Sequence, residues 1–227
     1  IEVQASPINP SDLGTLVGAG DLTSIRVEGE GDQAKVIMDI PESVMWAMKP
    51  RIGKPLPVGN EGSGVVTEAG ENAKHLIGKV VSAVGGGMYA QYRVLPAMAC
   101  IEMPDDIEPK DCASSFVNPL TALGMVETMK SEGHSALIHT AAASNLGQML
   151  VKICLADNIP LINIVRKPEQ VDLLKSLGAE YVCNSSDDNF KDSLVEAIKA
   201  TNATLAFDAT GGGELSGRIL SCMEIAM

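Results

Sequence analysis

Apolar runs alternate with stretches of helical periodicity throughout the second half of the chain. Short runs rich in apolar residues at 136–140, 161–165, 180–183 and 204–208 predict strands, and apolar residues at helical spacing in 146–156, 168–177, 189–200 and 214–226 predict helices. Strands that alternate with helices at this spacing indicate a parallel, doubly wound sheet of the Rossmann type. A complete sheet of that type has about six strands, and this pattern supplies four.

The first half of the chain has a different pattern. Short β-like runs separated by glycine and proline, at 34–38, 64–66, 79–84 and 89–94, predict a compact β-barrel-like domain. The pattern changes after residue 106, which predicts a β domain at 1–106 and a nucleotide-binding domain at 107–227, an α/β protein overall. Because the first residues already alternate like a strand and the last ones form a helical run, we expect a chain truncated at both ends.

Residues 136–150, ALIHTAAASNLGQML, predict a strand, a tight loop of small residues and a helix. The helix N-terminus in such a unit can receive a pyrophosphate. Candidate cofactor-binding residues are therefore Ala142, Ala143, Ser144, Asn145 and Leu146. Two of them, Ser144 and Asn145, replace the glycines usual in this fingerprint and only Gly147 remains, so a plain packing loop stays an alternative.

Arg166 and Lys167 follow the second predicted strand, where an NAD-binding unit would usually carry an acidic residue. Cationic side chains at this place favour a 2′-phosphate and therefore NADPH, although a solvated Arg-Lys pair is the alternative. Asp208 and Thr210 end the fourth strand, where open α/β sheets bind ligands. They are candidates for the adenosine side of the cofactor, or simply part of the turn into the last helix.

Composition excludes several classes of function. With 17 basic and 29 acidic residues the formal net charge is −12, which argues against a nucleic-acid or anionic-membrane surface. No window approaches the run of about 18 apolar residues that a membrane span needs. Five scattered cysteines without a C-x-x-C pair indicate buried free thiols in a reducing compartment, so we expect a cytoplasmic protein.

Four further motifs occur in a recognisable order: NPSD from Asn9, VGNEGSGVV from Val58, GKVVSAVGGGMYAQYRV from Gly78 and NPLTAL from Asn118. In this order the chain resembles the medium-chain dehydrogenase/reductase superfamily, and within it the zinc-independent NADPH:quinone oxidoreductases and 2-enoyl thioester reductases. The resemblance implies a GroES-like β-barrel domain followed by a Rossmann domain, and a homodimer for the full-length protein. It also implies NADPH-dependent reduction of a small-molecule quinone or activated alkene.

The resemblance bears on metal as well. Asn9, Asn60 and the cysteine-free run 116–119 stand where zinc-using members carry their Cys, His and Cys or Asp ligands. Neutral carboxamides are poor ligands for Zn²⁺, so we predict hydride transfer without metal. The resemblance further implies that Asn9, Asn118 and Thr121 face the nicotinamide and hydrogen-bond the acceptor oxygen. Turn formation by Asn9 and helix packing by Thr121 remain alternatives.

The proton donor is not evident in the sequence. Thioester reductases of this family carry a catalytic tyrosine shortly after the Asn-Pro-x-Asp motif, and the corresponding residues 16–21 include none. A 2-enoyl thioester reductase and a catalytically weak NADPH-binding protein therefore remain alternatives, as does an unrelated α/β methyltransferase. Residues 21–57 depart from the family pattern. Within them Met45, Trp46 and Met48, on a predicted helix, could line an acceptor pocket or pack onto the β domain.

Overall fold

The computed structural model describes residues 1–227, which form two compact units, Ile1–Val117 and Asn118–Met227. The first unit contains six strands: β1 (Glu2–Ala5), β2 (Arg26–Glu28), β3 (Lys35–Ile37), β4 (Glu61–Val65), β5 (Val80–Val84) and β6 (Cys100–Glu102). Its α-helices are α1 (Pro10–Leu16), α2 (Glu42–Met48) and α3 (Pro109–Cys112). Short 3₁₀ turns connect them, and α2 begins and ends where the sequence predicts a helix.

The β part of the first unit is an open sheet and not a closed barrel. Strands β1, β4, β5 and β6 pair in that order, always antiparallel, while β2 and β3 form a separate hairpin. The prediction of a strand at 89–94 is wrong, because only Tyr92 forms a bridge there, opposite Glu2. No second strand flanks this segment, so its pairing does not extend into a ladder. The predicted barrel is therefore not confirmed.

Residues 107–117 belong with the first unit, although the sequence pattern predicts a boundary after residue 106. Helix α3 packs against β1, β4 and β5. The hydroxyl of Ser63 in β4 donates to the carbonyl of Pro109, and that of Ser82 in β5 donates to the carbonyl of Cys112 at 2.8 Å. These buried hydrogen bonds tie the segment to the sheet, so the division between the compact units falls eleven residues later, at Val117.

The second unit is built on a parallel sheet. Its strands are β7 (Leu137–His139), β8 (Leu161–Val165), β9 (Tyr181–Asn184) and β10 (Ala206–Phe207), in the order β10-β7-β8-β9. Its helices are α4 (Val117–Ser131), α5 (Asn145–Ala156), α6 (Pro168–Ser176), α7 (Phe190–Thr201) and α8 (Leu215–Ala226). The order and alternation are those of a doubly wound α/β sheet, as the sequence predicts.

Helices cover both faces of this sheet. Ile138 and Ile162 pack on one face against residues of α7 and α8, including Leu194. Leu137 in β7 points to the other face, where Leu150 of α5 contributes to a second apolar cluster. A fully buried side chain of this size contributes about 1.5–3 kcal/mol, so the two clusters fix the register of the strands. This register determines which residues reach the carboxyl edge of the sheet.

All five cysteines of the chain carry free thiols, and four of the five are buried. No helix combines the length and the apolar character that a membrane crossing requires.

Candidate functional site: a cleft at the carboxyl edge of the parallel sheet

A cleft of about 320 Å³ opens at the carboxyl ends of the parallel strands. The chain runs outward from β7 through β8 to β9 and then returns to place β10 on the other side of β7. The loops after β7 and β10 therefore diverge, which leaves a crevice at this point of the sheet. The residues that line it include Ala141, Ala142, Ala143, Ser144, Arg166, Gln170, Ser185 and Thr210.

The loop between β7 and α5 forms the floor of this cleft. Ala141 adopts a left-handed conformation, with a φ of 51°. The Ala142 amide then donates to the Ile164 carbonyl at 3.2 Å, and its methyl group is fully buried. Ser144 is the N-cap of α5, and its hydroxyl accepts from the Gly147 amide at 3.2 Å. The loop thus exposes backbone and small side chains beneath the positive end of a 12-residue helix.

Asn145 and Leu146 form the first turn of α5, and Gly147 packs that turn against the loop. A Cβ atom at position 147 would collide with the carbonyl group of Ala142. Glycine is therefore the residue type that allows this close approach, the role that the sequence assigns to it. The first-turn amides of α5 and the small loop residues fit a pyrophosphate.

Arg166 and Lys167 differ in their surroundings. Arg166 follows β8 and lines the cleft, and side chains hold its backbone on both sides. The Arg166 amide donates to Gln170 Oε1 at 3.1 Å, and Ser186 Oγ donates to the Arg166 carbonyl at 2.9 Å. Lys167 is the N-cap of α6, and its ammonium lies 3.8 Å from the carboxylate of Glu169. Only Arg166 of the two lines the cleft, where its guanidinium fits a 2′-phosphate.

Asp208 anchors the loop after β10 and does not line the cleft. Its carboxylate accepts hydrogen bonds from Ser216 Oγ at 2.6 Å, Thr210 Oγ1 at 2.7 Å and Thr140 Oγ1 at 2.8 Å. These hydroxyl donors, Ser216 foremost, hold the pKa of Asp208 far below its usual value. The carboxylate thus joins the ends of β7 and β10 to the start of α8, whereas Thr210 itself reaches the cleft.

His139, the last residue of β7, is fully buried immediately before the loop. Neither of its ring nitrogens has a hydrogen-bond partner, and burial lowers its pKa to about 4. The ring is therefore neutral at pH 7. Asn163 lies opposite it on β8, with its Oδ1 also buried and unpartnered. Sequence reasoning left open whether His139 contacts cofactor or bonds to backbone, and the structure gives it neither hydrogen bond within the chain.

Asn9 belongs to the first unit, in a network of buried carboxylates. The side chain is 2% exposed, and its Nδ2 donates to Glu61 Oε1 at 2.9 Å. Glu61 Oε2 accepts the amides of Phe116 and Val117, at 2.8 and 3.0 Å. Asp12 accepts the amides of Asn9 and Asn60, at 2.8 and 3.0 Å. Asp12 and Glu61 are therefore structural carboxylates that fix the Asn9 loop.

The amides of the two asparagines that replace zinc ligands are engaged in hydrogen bonds. Asn9 binds Glu61, as above, and Asn60 Nδ2 donates to Ser11 Oγ at 2.8 Å. No group of three or more His, Cys, Asp or Glu side chains is arranged to hold a metal ion.

Asn118 and Thr121 lie three residues apart on α4, in the second unit, and therefore share one face of that helix. Asn118 is half-buried and Thr121 is exposed. Their predicted role toward the nicotinamide stays a prediction, as does that of Asn9.

Two cleft residues were missed by sequence reasoning. Gln170 lies one helical turn after Arg166, and Ser185 directly follows β9 at the carboxyl edge of the sheet. The position of Ser185 after a strand was a usable signal, because side chains at that edge converge on the cleft.

Comparison with known proteins agrees with this geometry. Residues 146–226 match the family model described as "Zinc-binding dehydrogenase". The mitochondrial enoyl-[acyl-carrier-protein] reductase of Homo sapiens is 29% identical over 82% of this chain and 45% of its own length. A crystal structure from Mesorhizobium loti, described as a "putative NADPH:quinone reductase", is 32% identical with a TM-score of 0.73, over 98% of this chain and 58% of that one.

The chain belongs to the medium-chain dehydrogenase/reductase superfamily. Within that superfamily it groups with the zinc-independent enoyl and quinone reductases. The family model begins at residue 146 and therefore contains none of the positions that carry zinc ligands in other members. An enoyl thioester reductase structure from Candida tropicalis, 22% identical over all of this chain and 62% of its own, has the same fold with a TM-score of 0.65. The chain spans about half the length of the curated relatives it matches.

Proposed function

We propose that the intact protein is an NADPH-dependent oxidoreductase that reduces a small-molecule quinone or activated alkene without a metal ion. The observation that carries this proposal is the convergence of the α5 N-terminus and Arg166 on one cleft. A helix N-terminus binds a pyrophosphate, and a guanidinium binds a 2′-phosphate through paired, charge-assisted hydrogen bonds. The membership in a family of NADPH-using reductases supports the same cofactor.

In this proposal each part of the cleft has one task. Ala142, Ala143 and Ser144 let the pyrophosphate approach the backbone, and the first-turn amides at Asn145 and Leu146 bind it. Arg166 binds the 2′-phosphate, and Gln170 and Ser186 hold the Arg166 backbone in place. Thr210 borders the adenosine side, while Asp208 positions Thr210. Lys167 adds a long-range positive charge and no direct contact, because it lies near Glu169.

The bound cofactor would supply the hydride. Asn118 and Thr121, on one face of α4, would donate hydrogen bonds to the acceptor oxygen where negative charge develops. Asn9 would contribute its second amide hydrogen, since Glu61 orients the carboxamide through the first.

A 2-enoyl thioester reductase is the second candidate, because the enoyl reductases are among the curated relatives with the highest similarity. Against it stands the absence of a tyrosine in residues 16–21. Tyr89 does not supply the missing donor as it stands, because its hydroxyl donates to the Pro7 carbonyl at 2.9 Å.

The resemblance also leads us to propose a homodimer for the intact protein and a GroES-like barrel around the open sheet β1-β4-β5-β6.

The test is a binding titration followed by a substrate panel on the intact protein. NADPH should bind at least about ten times more tightly than NADH, and S-adenosylmethionine should not bind. NADPH oxidation should then proceed with a quinone, an enone or crotonyl thioester, and the acceptor with the highest kcat/KM separates the two candidates. Binding without turnover on any acceptor would favour a binding protein, and no NADPH binding would refute the proposal.

A further inference from the structure

A groove in the first unit combines an apolar lining with a guanidinium. Its volume is about 200 Å³, and its apolar wall consists of Leu16, Val17, Met38, Ile40, Met48 and Leu56. Arg51 lines the same groove, and its Nη1 lies 3.4 Å from the carbonyl of Gly14. A guanidinium beside apolar side chains loses hydration, and an anion would compensate for that loss.

The groove stays accessible because its rim carries glycines. Gly18 is left-handed, with a φ of 51°, and its position faces Arg51 Nη1. A Cβ atom at Gly20 would lie 2.9 Å from the Val17 carbonyl and 3.2 Å from Met38 Sδ. A side chain at either position would be strained or would crowd the groove.

The positive charge at this groove is concentrated, in contrast to the rest of the protein. Lys49, Arg51 and Lys54 lie within six residues of a chain whose formal net charge is −12. The Lys54 amide donates to the Arg51 carbonyl at 3.1 Å across a turn with left-handed Gly53, which keeps their Cα atoms within about 7 Å. None of the three forms an ion pair, and the carboxylate of Asp39, before α2, is already bound by Arg26 at 2.9 Å.

Helix α2 does not fill this groove with an apolar partner of its own. Met48 lines the groove, but Trp46 points away and is 74% exposed, and the helix packs mainly against the 3₁₀ turn Lys49–Arg51 that follows it. Trp46 therefore does not pack the segment onto the sheet, contrary to one sequence expectation.

We propose that this groove binds a small anionic amphiphile, an alkyl chain that ends in a phosphate group. The alkyl chain would lie against Leu16, Met38 and Met48, and the phosphate would be bound by Arg51 with Lys49 and Lys54 beside it. The site lies at the end of α1, roughly 10 Å along that helix from Asn9. It goes beyond the proposed function, because it involves neither the cofactor cleft nor Arg166.

Calorimetric titration of the intact protein with octyl phosphate tests the site, with octanol and inorganic phosphate as ligands that each lack one half of the probe. Octyl phosphate should bind at least ten times more tightly than either. Arg51→Ala and Met48→Ser should each weaken it at least tenfold, whereas Lys35→Ala, a cation of the β2–β3 hairpin, should not change it. Urea midpoints of all variants check that they are folded.

Equal binding of octanol and octyl phosphate, or unchanged binding after Arg51→Ala, would overturn the proposal. So would sedimentation showing that copies of the chain associate through this surface and separate after Arg51→Ala. NADPH binding is measured on the same samples, so a failure here is distinguishable from a failure of the proposed function.

Discussion

Arg166 and Lys167 are adjacent and carry the same charge, yet their side chains have different neighbours. Arg166 lines the cleft with its backbone held by Gln170 and Ser186. Lys167 lies 3.8 Å from the carboxylate of Glu169, outside the cleft. The sequence predicts a cationic pair for the 2′-phosphate, and the structure assigns the cleft position to the first member.

Removing Arg166 should weaken NADPH binding and spare NADH. Hydrogen bonds to charged groups contribute about 1.5–3 kcal/mol, so Arg166→Ala should raise the Kd for NADPH about 10- to 150-fold. Lys167→Ala should change it less than about threefold, because an exposed ion at this distance contributes little. Fluorescence titration with both nucleotides measures this, with Lys175→Ala of α6 as the control. A loss of equal size for NADH would remove Arg166 from the 2′-phosphate site.

Glu61 offers a second test at the scale of one residue. Its two oxygens accept the Asn9 amide and the backbone amides of Phe116 and Val117, all buried or partly buried. In Glu61→Gln an NH₂ group replaces one oxygen, which leaves at least one of these donors without an acceptor. The free energy of unfolding should fall by about 2–3 kcal/mol in urea. The exposed Glu68→Gln is the control, and equal stability of the two variants would contradict the assigned role.

The residues predicted from the sequence are those with a local signal. Ser144 and Gly147 follow a strand and open a helix, so their roles can be recognised without knowing the register of the sheet. Gln170 and Ser185 could not be placed in the same way, because they reach the cleft only through the pairing of β8 with β9. Asp208 was assigned to the cofactor, but three hydroxyls from distant segments occupy its carboxylate.

At the scale of elements, local periodicity was sufficient in the second unit and insufficient in the first. All predicted strands and helices after residue 136 occur within a few residues of their predicted bounds, because each carries its own apolar pattern. The segment at 89–94 has the alternation of a strand but lacks a second neighbour, and the barrel depends on such long-range pairing. Alternation alone therefore identified the residue pattern and not the partners.

The contact between α5 and its loop gives a prediction for an element. Gly147→Ala places a methyl group against the backbone carbonyl of Ala142, so the first turn of α5 must shift. Because overpacking of this kind costs about 1–3 kcal/mol, we expect a less stable protein and at least tenfold weaker NADPH binding. Gly217→Ala, in α8 with nothing within 4 Å of the added Cβ, should instead stabilise by about 0.5–1 kcal/mol. Calorimetric melting and NADPH titration of both variants compare the two glycines.

At the scale of the whole molecule, a buried neutral histidine links stability to pH. His139 is fully buried with no hydrogen-bond partner, and burial lowers its pKa to about 4. In the unfolded chain the same side chain binds a proton below about pH 6.5. Between these values the unfolded state binds more protons, so protonation favours unfolding as the pH falls.

The free energy of unfolding should therefore decrease by up to about 3 kcal/mol from this group as the pH falls from 6.5 to 4. His139→Leu should remove this part of the pH dependence and stabilise the protein at neutral pH, because it replaces an unpaired polar ring with an apolar side chain. The exposed His75→Leu should retain the dependence of the unmodified protein. Urea unfolding at several pH values compares the three proteins. If His139→Leu keeps the full slope, the acid sensitivity arises from other groups, and His139 is not the neutral buried base that its surroundings indicate.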